Sequence, residues 1–217
     1  GLLRHVSPAF AEDPLRVLRA ARFVSRFGWR VHPETVALCR LLDLRELPME
    51  RLEAEWRQVL VVGAHPGLAL QALADLGALR LFPELAALRG VPQDPVWHPE
   101  GDVFRHTALC LEAAVRIRTA MDDPWVEMLG VLCHDLGKAV TTVFERGRWR
   151  SPNHDAGAGA ERMVRGLIER ITREDGVAER VWSLVREHLR PSQLYLARSN
   201  VKDGAIRRLA TRVDIPA

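Results

Sequence analysis

Four histidines and one aspartate follow one another in an order that suits metal chemistry. His106 precedes the pair His134-Asp135 by 28 residues, His154 follows 20 residues after His134, and His188 comes another 34 along. Imidazoles combined with a carboxylate suit Mn, Fe, Co, Ni or Zn better than Mg alone. The stretch LCHDLGKAV, Leu132 to Val140, puts His134-Asp135 at the end of an apolar helix. Gly137 is expected to end that helix and to free Asp135 to turn toward the ion. Lys138 lies four residues after His134, on the same helical side, and is positioned to meet a phosphate. An isolated His-Asp pair is most often only the polar end of a helix, but the series H…HDxGK…H…H is far more specific. Within NHDAGAGAERM, Gly157 to Ala160 form a small-residue helix start beside His154. Such a start suits a phosphate on backbone N–H groups, and equally suits close helix packing. His5, His32, His65 and His98 read as structural or surface groups.

A second constellation lies in EDPLRVLRAARFVSRFG. Asp13 before Pro14 marks a helix start with Asp13 as N-cap, and Gly28 marks its end. At 100° per residue Arg16, Arg19, Arg22 and Arg26 share one arc, and Val17, Ala20, Ala21, Val24 and Phe27 share the opposite one. One face packs and the other is cationic, either as a solvated face or as a surface for phosphates. Asp13 and Arg16 together could also read a base. Cytosine and adenine present an amino donor beside a ring-nitrogen acceptor, matching a carboxylate and a guanidinium, whereas guanine and uracil would face the arginine donor to donor.

Helices must carry these groups. Apolar residues recur at three- and four-residue spacing, which predicts an all-α chain with helices near 14–27, 33–43, 49–62, 66–76, 102–120, 124–136, 156–172, 176–190 and 203–213. No alternating run marks a strand. The Pro-, Gly- and Asp-rich stretch RGVPQDPVWHPEGD separates a first unit, 1–90, from a second, 91–217. With 217 residues, 47% of them hydrophobic, the chain can bury a real core. No apolar run approaches the roughly 18 residues of a membrane span. Cys39, Cys110 and Cys133 form no C-x-x-C, which argues against a disulfide framework or a thiolate zinc site and favours a reducing cytoplasm. The net charge is only +3, but residues 1 to 30 carry six arginines against two acids, and residues 186 to 212 carry seven basic residues against two. Basic ends suit phosphate-rich partners, although 29 of the 31 basic residues are arginine, a bias that genomic base composition also produces. The opening GLLRHVSPAF, without an initiator methionine, is expected to follow a missing N-terminal part.

These motifs resemble those of two families. EDPLR is similar to the base-selecting motif of bacterial CCA-adding enzymes and related poly(A) polymerases, the tRNA nucleotidyltransferases. There the residues matching Asp13 and Arg16 read the incoming nucleotide. ERLEAEW, Glu50 to Trp56, resembles the next motif of that family, in which Arg51 and Glu55 would brace the neck. WHPEGDVFRHT resembles the entry to a domain appended in some members. The family's G-S and Asp-x-Asp pair, which holds magnesium in the catalytic head, occurs nowhere in this sequence. The resemblance therefore implies a C-terminal portion that adds no nucleotide by itself, with Mg required only by the missing head. It further implies tRNA as partner, bound in part through Arg19, Arg22 and Arg26.

H…HDxGK…H…H resembles the HD superfamily of phosphohydrolases. That implies a helical neck and body followed by an HD domain. His106, His134 and Asp135 would hold one divalent ion, with Asp135 bridging to a second held by His154 and His188, and Asp135 and Lys138 taking part in catalysis. The superfamily's last aspartate would be Asp214 or lie beyond Ala217. The implied reaction is hydrolysis of a phosphomonoester or a 2′,3′-cyclic phosphodiester at a tRNA end. A free-standing HD nucleotidase and a non-catalytic RNA-binding module are the alternatives.

Overall fold

The computed structural model describes residues 1–213, so Asp214 lies outside the described residues. Within them the chain is helical: α1 (Arg16–Phe27), α2 (Pro33–Leu41), α3 (Met49–Arg57), α4 (Pro66–Asp75), α5 (Pro83–Ala86), α6 (Val103–Ala114), α7 (Pro124–Cys133), α8 (Lys138–Thr141), α9 (Ala158–Ile171), α10 (Val177–Glu187), α11 (Arg190–Leu196) and α12 (Asp203–Arg212). The all-α expectation holds.

Helix α1 buries Val17, Leu18, Ala20, Ala21 and Val24, as its arc predicts, and Gly28 closes it by donating its N–H to the Val24 carbonyl. Its α-helical ladder starts at Arg16, not Pro14. Asp13 caps the tighter turn ahead of it, with Oδ1 accepting the Leu15 N–H and its carbonyl accepting the Arg16 N–H. Phe27, expected on the packed face, is exposed instead. It is the last helical residue, and it stacks on Trp29 at 4.7 Å rather than on the core.

The helices form a chain of contacts that ends at the candidate site. Helix α1 packs on α4, α4 on α6, α6 on α7, α7 on α10, and α10 on α9. At the α4–α6 crossing a Cβ on Gly67 would lie 2.1 Å from the Ala108 carbonyl oxygen, so the two backbones meet only because Gly67 has no side chain. One hydrophobic core, from Val17 to Val185, runs through all of these interfaces.

Two short strand pairs depart from the expected helices. β1 (Leu2–Leu3) lies parallel to β2 (Arg30–Val31), and β3 (Val143–Glu145) forms an antiparallel hairpin with β4 (Arg148–Arg150). All six residues of the hairpin strands are exposed, so no apolar alternation could mark them. Arg146 and Gly147 join the strands with φ of 52° and 76°, the double positive φ of a type I′ turn. Helix α11 buries no residue and so left no periodic signal. Among the described residues no helix is long and apolar enough to cross a membrane.

Candidate metal centre

Three of the histidines reach the site from helix ends and the fourth from a loop. Asp102 caps α6 by accepting the Arg105 N–H at 2.9 Å, which sets His106 in the first turn. Asp123 caps α7 through the Trp125 and Val126 N–H groups, and the helix runs to Cys133, with His134 and Asp135 just past it. His188 follows the last residue of α10. His154 lies in the loop before α9.

All four imidazoles turn Nε2 toward Asp135. Oδ2 of that buried carboxylate is 3.3 Å from His134 and 3.6 Å from His106, and Oδ1 is 3.2 Å from His154 and 4.0 Å from His188. Each carboxylate oxygen thus faces its own pair of imidazoles. Nδ1 of His134 donates to the Val131 carbonyl, that of His154 to the Ser151 carbonyl, and that of His188 to the Val185 carbonyl. Nδ1 of His106 donates to Glu100 Oε1 at 2.6 Å. A carbonyl or carboxylate only accepts, so Nδ1 carries the proton in each ring and, in the neutral ring, Nε2 offers a lone pair. His154 Nε2 is buried without a hydrogen-bond partner. Lone pairs converging on a buried carboxylate call for cations between them, and the donor set fits a divalent metal.

Without an ion, the buried carboxylate and its neighbours set one another's ionisation. Burial pushes the Asp135 carboxyl up, but His134, His154 and Lys138 outweigh it and hold the group well below its usual range. Burial likewise opposes the charge on His134, yet the adjacent carboxylate raises that ring to about 10. Burial lowers His188.

Glu100, His98 and Cys110 also belong to this cluster. Glu100 accepts from His106 and lies 3.0 Å from Nδ1 of His98, whose ring meets His106 edge to face at 4.7 Å. His98, expected to be a structural or surface group, is therefore part of the cluster's wall. The Cys110 sulfur lies 3.4 Å from His106 Nε2, and although burial raises its thiol, His106 and His134 bring it down to about 6. The i, i+4 spacing of His106 and Cys110 was the available signal. Lys138 lines the cavity beside His98 and His154. It is buried, with Nζ 2.8 Å from Asp135 Oδ2 and donating to Gln93 Oε1 at 2.9 Å, so it braces the carboxylate.

Gly137 also has a different role from the one its position suggests. Its φ is −62° and the chain turns helical again directly after it. A Cβ there would lie 2.0 Å from the His154 carbonyl oxygen, so the glycine lets the His154 backbone reach the cluster. Ala160, in the small-residue start of α9, is fully buried, and a Cβ on Gly159 would lie 3.2 Å from Val140, so this segment serves close packing.

At the other end of the molecule, Asp13 and Arg16 are held by their own chain. Asp13 Oδ2 accepts from Arg51 at 2.7 Å, and Arg16 donates to the Ala9 carbonyl. Arg16 and Arg19 line a cavity of about 430 Å³. Arg22 pairs with Glu55 at 3.3 Å, while Arg19 and Arg26 are exposed.

A Multifunctional CCA protein of Acinetobacter baumannii (strain AYE) is 38% identical over 99% of this chain and 51% of that protein. The chain is a homologue of part of the multifunctional CCA proteins. A CCA protein of Pasteurella multocida (strain Pm70) is 48% identical over 64% of this chain and 35% of its own length. The chain spans about half the length of the curated relatives it matches, and it fits their C-terminal portion. No protein-family model matches. A solved "tRNA-processing enzyme (apo form I)" aligns with 99% of this chain and 62% of its own at 18% identity, with a TM-score of 0.34.

Proposed function

We propose that residues 91–217 of this CCA-protein homologue form an HD-type, metal-dependent phosphohydrolase acting on a 2′,3′-cyclic phosphodiester or phosphomonoester at a tRNA end, in the cytoplasm. Residues 1–90 would be the neck and body, contacting tRNA through Arg19, Arg22 and Arg26 and a nucleotide through Asp13 and Arg16. The observation that carries the reading is the convergence of four Nε2 atoms on the two oxygens of Asp135. His106, His134 and Asp135 would hold one ion, and Asp135, His154 and His188 a second, drawn from Mn, Ni, Co, Fe or Zn. When bound, such ions supply a hydroxide at neutral pH and neutralise phosphate charge. The chain's own residues keep the donors in place. Glu100 and three backbone carbonyls fix the ring tautomers, and Lys138 steadies Asp135.

The test is hydrolysis of 2′,3′-cyclic AMP and of a phosphomonoester with Mn, Ni, Co and Mg, using this chain and one extended past Ala217 to include any further aspartate. Metal-dependent turnover without nucleotide addition to tRNA is expected. No turnover from either chain with any metal would leave a non-catalytic RNA-binding module as the better reading.

A further inference from the structure

The β3–β4 hairpin stands beside the histidine cluster and carries a run of groups that the cluster's chemistry leaves unexplained. Phe144 is 61% exposed and Trp149 37%, and their rings meet at 5.0 Å on one face of the hairpin. Across from them Trp97 is 75% exposed. Rings this open on the surface of a packed domain mark a binding surface. Arg146, Arg148 and Arg150 are interleaved with them, against Glu145, which lies 3.8 Å from Arg150, and Asp94.

Two cavities join these groups to the cluster. The inner one, about 320 Å³, is lined by Trp97, His98, Arg148, Trp149 and His154 among others. The outer one, about 500 Å³, is lined by Val96, Trp97, Phe144, Arg148 and Trp149 among others. Asp94, Trp97, Arg148 and Trp149 line both, so the two form one groove that starts at the imidazoles of His98 and His154 and ends at the outer edge of the hairpin.

We propose that this groove binds the single-stranded 3′ end of an RNA, leading its terminal phosphate to the histidine cluster. The proposal rests on the phosphohydrolase reading for the direction of the strand. Aromatic rings alternating with guanidinium groups suit a strand of unpaired bases on a phosphate backbone, since stacking accepts any base and arginine follows the phosphates. A duplex hides the base faces that these rings would stack on. A protein partner matched only to the apolar rings would leave the arginines uncompensated. Strands of three residues span about 10 Å, room for about three stacked nucleotides.

The experiment is fluorescence anisotropy with a 5′-fluorescein RNA hexanucleotide ending in a 2′,3′-cyclic phosphate, alone and annealed to its complement. Trp97→Ala with Trp149→Ala is expected to weaken single-strand binding at least tenfold. Arg148→Glu with Arg150→Glu is expected to weaken it similarly and to flatten its salt dependence. All four side chains lie on the surface, and unchanged circular dichroism would confirm that the fold survives. Wild-type affinity in either double variant, or equal binding of the annealed hexanucleotide, would overturn the proposal. Binding is read without turnover, so an inactive chain that still loses affinity in these variants sinks the phosphohydrolase reading and leaves the groove standing.

Discussion

Nε2 of His154 lies 3.2 Å from Oδ1 of Asp135, buried and with no hydrogen bond of its own. A neutral His154 ring presents an acceptor to that carboxylate, and a cation between the two would satisfy both. The purified chain is expected to contain a transition metal, measured by elemental mass spectrometry, and His134→Ala combined with Asp135→Ala should release it. Stripping the metal with a chelator should also lower Tm, because the ion binds only the folded arrangement. Metal retained in the double variant would overturn the assignment.

Gly137→Ala would force a methyl group into the His154 carbonyl oxygen. Overpacking of this kind costs about 1 to 3 kcal/mol, and here it also displaces a metal ligand. Urea denaturation should show that loss, and metal content should fall with it. Gly204→Ala makes an apt control, since its nearest neighbour, the flexible end of the Arg208 side chain, is 3.4 Å away. Equal stability of the two variants would contradict the close approach at Gly137.

Asp123 caps α7 and pairs with Arg180 of α10 at 2.7 Å, joining the helices that end in His134 and His188. Asp123→Ala is expected to cost about 1 kcal/mol at pH 7, chiefly through the lost cap, because the ion pair is partly exposed and adds little. Burial raises the Asp123 carboxyl, but Arg180 and the backbone N–H groups outweigh it and leave it lowered. A carboxyl lowered in the folded state stabilises above its unfolded value, about 3.9, and loses that contribution as pH falls through the folded value. The gap between wild type and variant should therefore close below about pH 4. A gap constant down to pH 2 would rule out this account.

The three arginines of α1 should separate in their effects. Arg19→Glu with Arg26→Glu is expected to weaken tRNA binding severalfold at unchanged stability, with affinity falling steeply as salt rises. Arg22→Glu would set two carboxylates side by side at Glu55, whose carboxyl burial already raises. That change should cost about 1 to 3 kcal/mol in denaturant titrations. Unchanged tRNA affinity in the Arg19, Arg26 variant would mean that this face is merely solvated.

What the sequence revealed and concealed follows from where each signal lies. Val17, Ala20, Ala21 and Val24 all face inward, and a buried stripe is visible in residue order alone. His106, His134, Asp135, His154 and His188 were legible because their order is specific, and the fold brings them together. Glu100 was not legible, because its role depends on a loop that folds back onto α6 from six residues upstream. The partners of Lys138 were hidden for a related reason. Its spacing from His134 indicates a side, but only packing reveals that Asp135 pairs with its charge and that Gln93, 45 residues earlier, accepts a hydrogen bond from it. The hairpin escaped because every one of its strand residues faces solvent, and exposed residues carry no pattern of burial.

The hairpin leaves and rejoins the body of the protein at nearly one point. Gly137 touches the His154 backbone at its root, and the Thr142 and Ser151 hydroxyls meet at 2.8 Å just above. A loop pinned at its base can change in length or composition at little entropic cost and without moving what lies below the pin. Evolution, or an engineer, can therefore exchange the segment between Thr142 and Ser151 to redirect what the protein takes up while the histidines beneath keep their arrangement.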